Sequence, residues 1–135
     1  MKKVIYGLTI IAMIACTSKS KIDYPYSFIE KKIENNGNTM ELYTVQSTVN
    51  IDTLKMFCLE KKESFSGGTF YYVVFFDSKE NAVFPNHPFT AFYGIDEEPQ
   101  KHIKAYYEYN NLNDFSELKV YESNSWKSKA EIIKL

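Results

Sequence analysis

The sequence predicts an α+β domain in which one main helix packs across one face of an antiparallel sheet of four to five strands. One amphipathic helical segment, at about residues 50–65, lies between segments that are rich in aromatic and β-branched residues. The Asn36-Gly37 dipeptide adds the strongest short-range signal for a β-hairpin. The predicted order is strand, strand, helix, strand, loop, strand, strand.

The first two strands are expected at residues 28–34 and 39–47, on either side of Asn36-Gly37. A turn centred on this dipeptide places Ile33 opposite Met40, and Lys32 opposite Glu41, across the two strands. A short helix that begins at Ser27 is the rival interpretation, since Glu30 would complete a capping box. The strand-like composition after the turn favours the hairpin.

The main helix is expected to begin at Asn50, whose side chain is suited to an N-cap, with Asp52 in the first turn. Its apolar residues recur at helical spacing, and they are Ile51, Leu54, Phe57, Cys58 and Phe65. Gly67 and Gly68 follow and turn the chain. Cys58 therefore belongs to the buried stripe and is expected to be inert.

Residues 69–77 read Thr-Phe-Tyr-Tyr-Val-Val-Phe-Phe-Asp, which is apolar on both alternating faces and typical of a central strand. One face is expected to pack on the helix. The other face needs cover from the following long segment, from the termini or from a partner.

The segment Ser78 to Pro99 contains Pro85, Pro88 and Gly94 and is expected to be a long loop, which in compact domains is often functional. Residues 101–109 then alternate, and Ile103, Ala105, Tyr107 and Tyr109 are expected on one face of a strand. Residues 118–121 complete the final hairpin.

The first sixteen residues carry the most specific motif of the chain. Lys2 and Lys3 precede a short apolar run from Val4 to Ile14, which is typical of a secretory signal peptide and too short for a stable membrane span. The segment Met13-Ile14-Ala15-Cys16 resembles the lipobox of bacterial lipoproteins, with Met13 in place of the usual Leu. The resemblance implies cleavage after residue 15, lipid attachment to Cys16 and export to the cell envelope, on the outer rather than the inner membrane.

The implied organisation is a signal peptide at residues 1–15, a lipid-attached tether at 16–23 and a single domain at 24–135. The helix that ends in Gly-Gly, the Val-Val-Phe-Phe-Asp strand and the later Ile-Lys-Ala-Tyr-Tyr-Glu-Tyr-Asn segment resemble small uncharacterised bacterial lipoprotein domains of the same strand order. That resemblance implies no catalytic residues.

Composition argues against several classes of function. All sixteen basic residues are lysine, and without arginine or a long basic stripe the chain has little with which to bind nucleic acid. The two histidines, His87 and His102, lack the spacing of a zinc site, and Asp96-Glu97-Glu98 lacks the pattern of a calcium loop. We therefore expect no cofactor, no metal and no catalysis.

Aromatic residues are abundant, with eleven Tyr, ten Phe and one Trp. Many are expected to fill the core, whereas loop aromatics are better candidates for an interface or a pocket. The candidate set comprises Phe84, His87, Phe89, Phe92 and Tyr93.

The sequence thus predicts a membrane-anchored module that binds an envelope protein. Alternatives are an inhibitor or immunity protein against an exported enzyme, a small-ligand binder with an aromatic pocket at the Ser78 to Pro99 loop, and an enzyme that uses His87 with a nearby carboxylate.

Overall fold

The computed structural model describes residues 22–46, 48–94 and 97–135. Within these ranges the chain forms one six-stranded sheet and one main helix, so the predicted α+β class is confirmed. The strands are β1 (Tyr26–Ile33), β2 (Thr39–Val45), β3 (Phe70–Phe76), β4 (Ile103–Asn110), β5 (Phe115–Tyr121) and β6 (Ala130–Lys134). The helices are α1 (Ile51–Ser64), a 3₁₀ helix (Phe89–Gly94) and α2 (Glu97–Gln100). The predicted signal peptide, Cys16 and the first part of the tether lie outside the described residues.

The strands lie in the sheet in the order of the chain, β1 to β6, and two features differ from the prediction. The sheet has six strands instead of four to five, because the five-residue β6 adds an edge after a polar turn. It is also mixed rather than antiparallel, since β2 and β3 are parallel from Thr39 beside Tyr71 to Thr44 beside Phe76. Helix α1 returns the chain to the end of the sheet where β2 began, so β3 runs in the same direction as β2.

The β1–β2 hairpin forms as predicted, but its register differs by one residue. Gly37 donates its N–H to the Glu34 carbonyl at 2.8 Å, and Glu34 donates to the Asn38 carbonyl at 2.9 Å. The loop therefore has three residues, with Gly37 at φ +83°, instead of two. As a result Lys31, and not Lys32, pairs with Glu41.

Helix α1 begins as predicted, since the Asn50 side chain accepts a hydrogen bond from the Thr53 N–H at 3.0 Å. It ends at Ser64, and Phe65 caps it. Gly68 then approaches the β1–β2 turn and donates its N–H to the Gly37 carbonyl at 2.8 Å. A Cβ atom on Gly68 would lie 2.5 Å from the carbonyl carbon of Gly37, so only glycine permits this approach.

The core has one part on each face of the sheet. On the first face, Leu54, Phe57 and Cys58 of α1 pack against strand residues such as Phe75 and Tyr107. Cys58 is completely buried, as predicted, and burial raises the pKa of its thiol. The segment after β3 covers the second face, where Phe89 is fully buried in the other part of the core.

Strand β4 alternates as predicted except at its first residue. Phe75 pairs with Ala105, whereas Phe76 pairs with Ile103, so Lys104 is an extra residue in the ladder. This bulge places Ile103 in the core of the second face, opposite to the face that carries Ala105. The prediction that Ile103 shares the face of Ala105 is therefore wrong.

Candidate functional site

Three of the five predicted loop residues have described side chains, and these three do not share one surface. Phe89 is 0% exposed, and its N–H donates to Glu34 Oε1 at 2.8 Å. Phe84 is half-buried and stacks on Phe89, with ring centroids 6.3 Å apart, whereas His87 is exposed. Phe92 and Tyr93 lie in the 3₁₀ helix, and their side chains are outside the described part of the structure. The loop thus contributes Phe89 to the core rather than to the surface.

The imidazole of His102 lies against the carboxylate of Asp77. Its Nδ1 lies 2.9 Å from Asp77 Oδ2 and 3.0 Å from Asn81 Nδ2. An Nδ1 proton donated to Asp77 would leave Nε2 as the acceptor of the ring. The backbone N–H of Asp77 also donates to the His102 carbonyl, so the pair closes the open end of the β3–β4 ladder. Among the described residues, no group of three or more His, Cys, Asp or Glu side chains is placed to hold a metal ion.

A network of charged and hydroxyl groups surrounds Glu41 on β2, beneath the last turn of α1. Lys61 Nζ lies 2.7 Å from Glu41 Oε2, Lys31 Nζ lies 3.4 Å from Oε1, and the Tyr43 hydroxyl donates to Oε2 at 2.8 Å. The Tyr71 hydroxyl also lies near enough to this carboxylate for the negative charge to contribute to its raised pKa. The Glu41 cluster, which comprises these five side chains, therefore joins β1, β2 and β3 to α1.

The protonation states of the Glu41 cluster follow from its contacts. Burial alone would raise the pKa of Glu41, but hydrogen bonds from Lys61 and Tyr43 and the lysine charges outweigh burial and lower this pKa. Burial and the neighbouring carboxylate raise the pKa of Tyr43 and of Tyr71. Glu41 is therefore ionised and both tyrosines are neutral at pH 7.

A turn between β5 and β6 presents the only tryptophan of the chain. We call residues 123–128 the Trp126 turn. The Trp126 side chain is 51% exposed, whereas Asn124, two residues earlier, is 8% exposed. Asn124 Oδ1 accepts the N–H of Trp126 at 3.1 Å and the N–H of Lys127 at 2.9 Å. A buried amide thus fixes the backbone under an exposed aromatic ring.

Further hydrogen bonds hold the Trp126 turn in place. The Ser128 hydroxyl accepts the N–H of Ser123 at 2.9 Å and the N–H of Asn124 at 3.1 Å. Ser125 ties the turn to the start of β4, because its N–H donates to the Ile103 carbonyl at 3.0 Å and its hydroxyl donates to the Gln100 carbonyl at 2.9 Å. The ring of Trp126 is therefore displayed on a rigid support.

A groove of about 510 Å³ lies beside the Trp126 turn. Glu122 and Lys129, the residues on either side of the turn, contribute to its wall. Its remaining walls come from the start of α1, from β4 and from the β5–β6 hairpin, through Thr48, Val49, Ile51, Lys104, Val120, Tyr121 and Glu131. Two lysines and two glutamates balance in charge, and apolar side chains separate them. The groove therefore carries no net charge.

The Trp126 turn is not among the predicted sites, although the sequence contains a signal for it. Trp126 stands in Ser-Asn-Ser-Trp-Lys-Ser, where every neighbour favours a turn or a solvent-exposed position. A large aromatic residue in such a segment has no apolar neighbours at strand or helix spacing, so the sequence does not predict its burial. This local contrast, rather than aromatic abundance, points to the surface position.

No protein family, curated protein or solved structure matches this chain. In the parts of the chain that the structure describes, no helix has the length and apolar character needed to cross a membrane.

Proposed function

We propose that this protein is an exported bacterial lipoprotein, anchored through lipid on Cys16, whose domain binds another envelope protein without catalysis. The exposed Trp126 on its hydrogen-bonded turn is the observation that carries the binding proposal. The lipobox at residues 13–16 supports the anchor.

Trp126 has the physical character of an interface hot spot. Tryptophan offers a large contact area and few rotatable bonds, so its ordering on binding costs little entropy. The hydrogen bonds of Asn124 and Ser128 fix the backbone of the turn before any partner arrives. A preorganised aromatic ring beside a charge-balanced groove favours a folded protein partner over a strongly charged polymer.

The anchor allows a modest affinity to produce stable association. A tethered domain and a partner in the same membrane meet at high effective concentration, so a small interface is sufficient for stable association. An inhibitor or immunity protein against an exported enzyme is one form of this proposal. This form would be supported if the captured partner is an exported enzyme. The alternative of a ligand pocket at the Ser78 to Pro99 loop has less support, because Phe89 occupies the core beneath that loop.

The binding proposal can be tested with a photo-crosslinking amino acid placed at position 126 in living cells. Position 112 provides the matched control, since Leu112 is 79% exposed and lies at the other end of β5. We expect one protein to crosslink from position 126 and not from position 112. Equal labelling from both positions, or none from position 126, would contradict the proposal.

A purified partner allows a second measurement. Since Trp126 is the only tryptophan, its fluorescence should shift to shorter wavelength when the partner covers the ring. Trp126→Ala should weaken binding about tenfold or more, as truncation of a hot spot does. Leu112→Ala should leave the affinity unchanged.

A further inference from the structure

The solvent-facing side of α1 carries two large apolar side chains that the core does not use. Met56 is 48% exposed and Leu59 is 39% exposed. They lie three positions apart, so they are neighbours on the helix surface. Exposed apolar side chains are ordinary by themselves. Their position in the molecule therefore decides what they contact.

The start of the described chain is fixed beside this side of α1. The Tyr24 hydroxyl donates to Glu60 at 2.7 Å, and the Tyr24 ring lies edge-on to Phe57 with centroids 5.0 Å apart. Glu60 follows Met56 by about one helical turn. The exposed Ile22 precedes Tyr24 by two residues, so the two Cα atoms lie within about 7 Å of each other. The chain thus enters the domain next to Met56.

The proposed lipid anchor brings this entry point close to the membrane. Six residues along the chain separate Cys16 from Ile22, and a segment of that length spans at most about 20 Å when fully extended. A domain of about 110 residues is roughly 35 Å across. The tether is thus shorter than the domain, which keeps the side that carries Ile22, and α1 with it, towards the lipid.

The charges of α1 indicate which lipid suits this side. Its three acidic residues are exposed, whereas its three lysines are only partly exposed. Two of these lysines are engaged in ion pairs, Lys61 with Glu41 and Lys62 with Asp114. An excess of exposed carboxylates disfavours an anionic membrane surface, since like charges repel.

We infer that the outer side of α1, together with Ile22, rests on a bilayer surface of zwitterionic phospholipid and so orients the anchored domain. The inference rests on the lipid anchor proposed above. Three apolar side chains, each already partly buried, contribute much less than an acyl chain does. The contact therefore fixes the orientation of the domain, whereas the lipid on Cys16 holds the protein at the membrane.

Fluorescence quenching tests this orientation, with the lipidated full chain in phosphatidylcholine bilayers. A fluorophore is attached at Met56→Cys, and the quencher is a phospholipid with a nitroxide on its headgroup. Val83→Cys is the matched control, because Val83 is 42% exposed and its neighbours Ala82 and Phe84 pack on the second face of the sheet. Cys58 is buried and does not react with the label while the domain is folded.

We expect strong quenching from position 56 and little from position 83. Equal quenching at both positions, or none at position 56, would overturn the inference. Anionic phosphatidylglycerol in the bilayer should lower the quenching at position 56, and an increase would overturn the choice of a zwitterionic surface.

Variants show whether apolar contact causes the orientation. With the fluorophore at position 56, Leu59→Gln should reduce the ratio of docked to undocked domains about threefold, because the exposed part of Leu59 no longer leaves water. Ile132→Gln changes an exposed residue on the edge strand β6 and should have no effect. Equal effects of both variants would overturn the inference.

A fluorophore at Lys19→Cys separates this inference from the proposed anchor. Position 19 follows Cys16 by three residues, so a lipid-anchored chain holds it within about 10 Å of the lipid attachment. Quenching at position 19 without quenching at position 56 would overturn the orientation and leave the anchor standing, whereas its absence from both would overturn both. Capture of a protein by a photo-crosslinking amino acid at position 56 in living cells would assign this side of α1 to a protein and also overturn the inference.

Discussion

Two tyrosines on neighbouring strands illustrate how a single hydroxyl changes stability. The Tyr43 hydroxyl donates to the buried Glu41 at 2.8 Å, whereas the Tyr26 hydroxyl is buried without a hydrogen-bond partner among the described residues. Both rings pack on Phe57 and Phe75. The two rings thus share two aromatic neighbours, and their hydroxyl contacts differ.

Removal of these hydroxyls should have opposite effects. Tyr26→Phe should raise the free energy of unfolding by about 1 kcal/mol, because it removes an unsatisfied buried group. Tyr43→Phe should lower it by about 2 kcal/mol, since a hydrogen bond to a charged group is lost. Urea denaturation of both variants measures this difference, and equal effects would contradict the assigned contacts.

Two glutamates should give opposite pH dependences of stability. Glu41 has a lowered pKa when folded, so its contribution is present above its ordinary pKa of 4.5 and is lost as the pH falls through the folded pKa. Burial and the neighbouring Glu117 raise the pKa of Glu108, against the opposing effect of Lys119. Glu108 therefore destabilises the fold at neutral pH, and protonation removes this cost.

We expect Glu41→Gln to lower the free energy of unfolding at pH 7 by about 2 kcal/mol, because it leaves two lysines without their partner. Glu108→Gln should raise it by about 0.5 kcal/mol. Both differences should shrink in urea denaturation as the pH falls below the ordinary carboxyl range. A constant difference between pH 7 and pH 3 would show that charge is not its cause.

At the scale of elements, local patterns predicted the helix better than the sheet. The Asn50 cap and the buried side of α1 depend on neighbouring residues, so the sequence indicates them directly. Strand register depends on loop length, and Asn36-Gly37 suits a two-residue loop as well as the three-residue loop that forms. The parallel β2–β3 pair follows from the helical crossover, which the prediction of an antiparallel sheet overlooked.

The hairpin turn should tolerate substitution at one position and not at another. Gly37→Ala should lower the free energy of unfolding by about 2 kcal/mol, because φ is +83° and the new Cβ would lie 2.8 Å from the Gly68 nitrogen. Asn35→Ala, in the exposed part of the same loop, should change it by less than about 0.5 kcal/mol. Thermal unfolding of both variants compares them, and similar melting temperatures would contradict the close approach.

For the molecule as a whole, the fold class follows from the sequence more directly than the burial of individual aromatic residues does. The loop aromatics and the Trp126 turn are both aromatic segments in polar surroundings. Phe89 is buried because it covers the second face of the sheet. This contact joins residues that are distant in the sequence, so no local pattern predicts it. The exposed position of Trp126 could be predicted from its Ser and Asn neighbours alone, because the side chains of those residues form the hydrogen bonds of the turn.

The proposed lipid anchor makes a prediction about the whole chain. Cys16→Ser should prevent lipid attachment, so the protein should leave the membrane fraction while its domain stays folded. Cell fractionation with mass spectrometry measures both location and mass. A lipid-shifted mass in the variant would contradict attachment at Cys16.

Burial of Cys58 has a practical consequence for the lipid-anchored form that we propose. Once Cys16 carries lipid, Cys58 is the sole remaining thiol of the chain. A thiol reagent can then modify the protein only when the core opens, and the rate of modification reports how often that happens. Pulse labelling of intact cells would therefore measure the stability of the domain without purification, and a protein that binds the folded domain would slow the labelling.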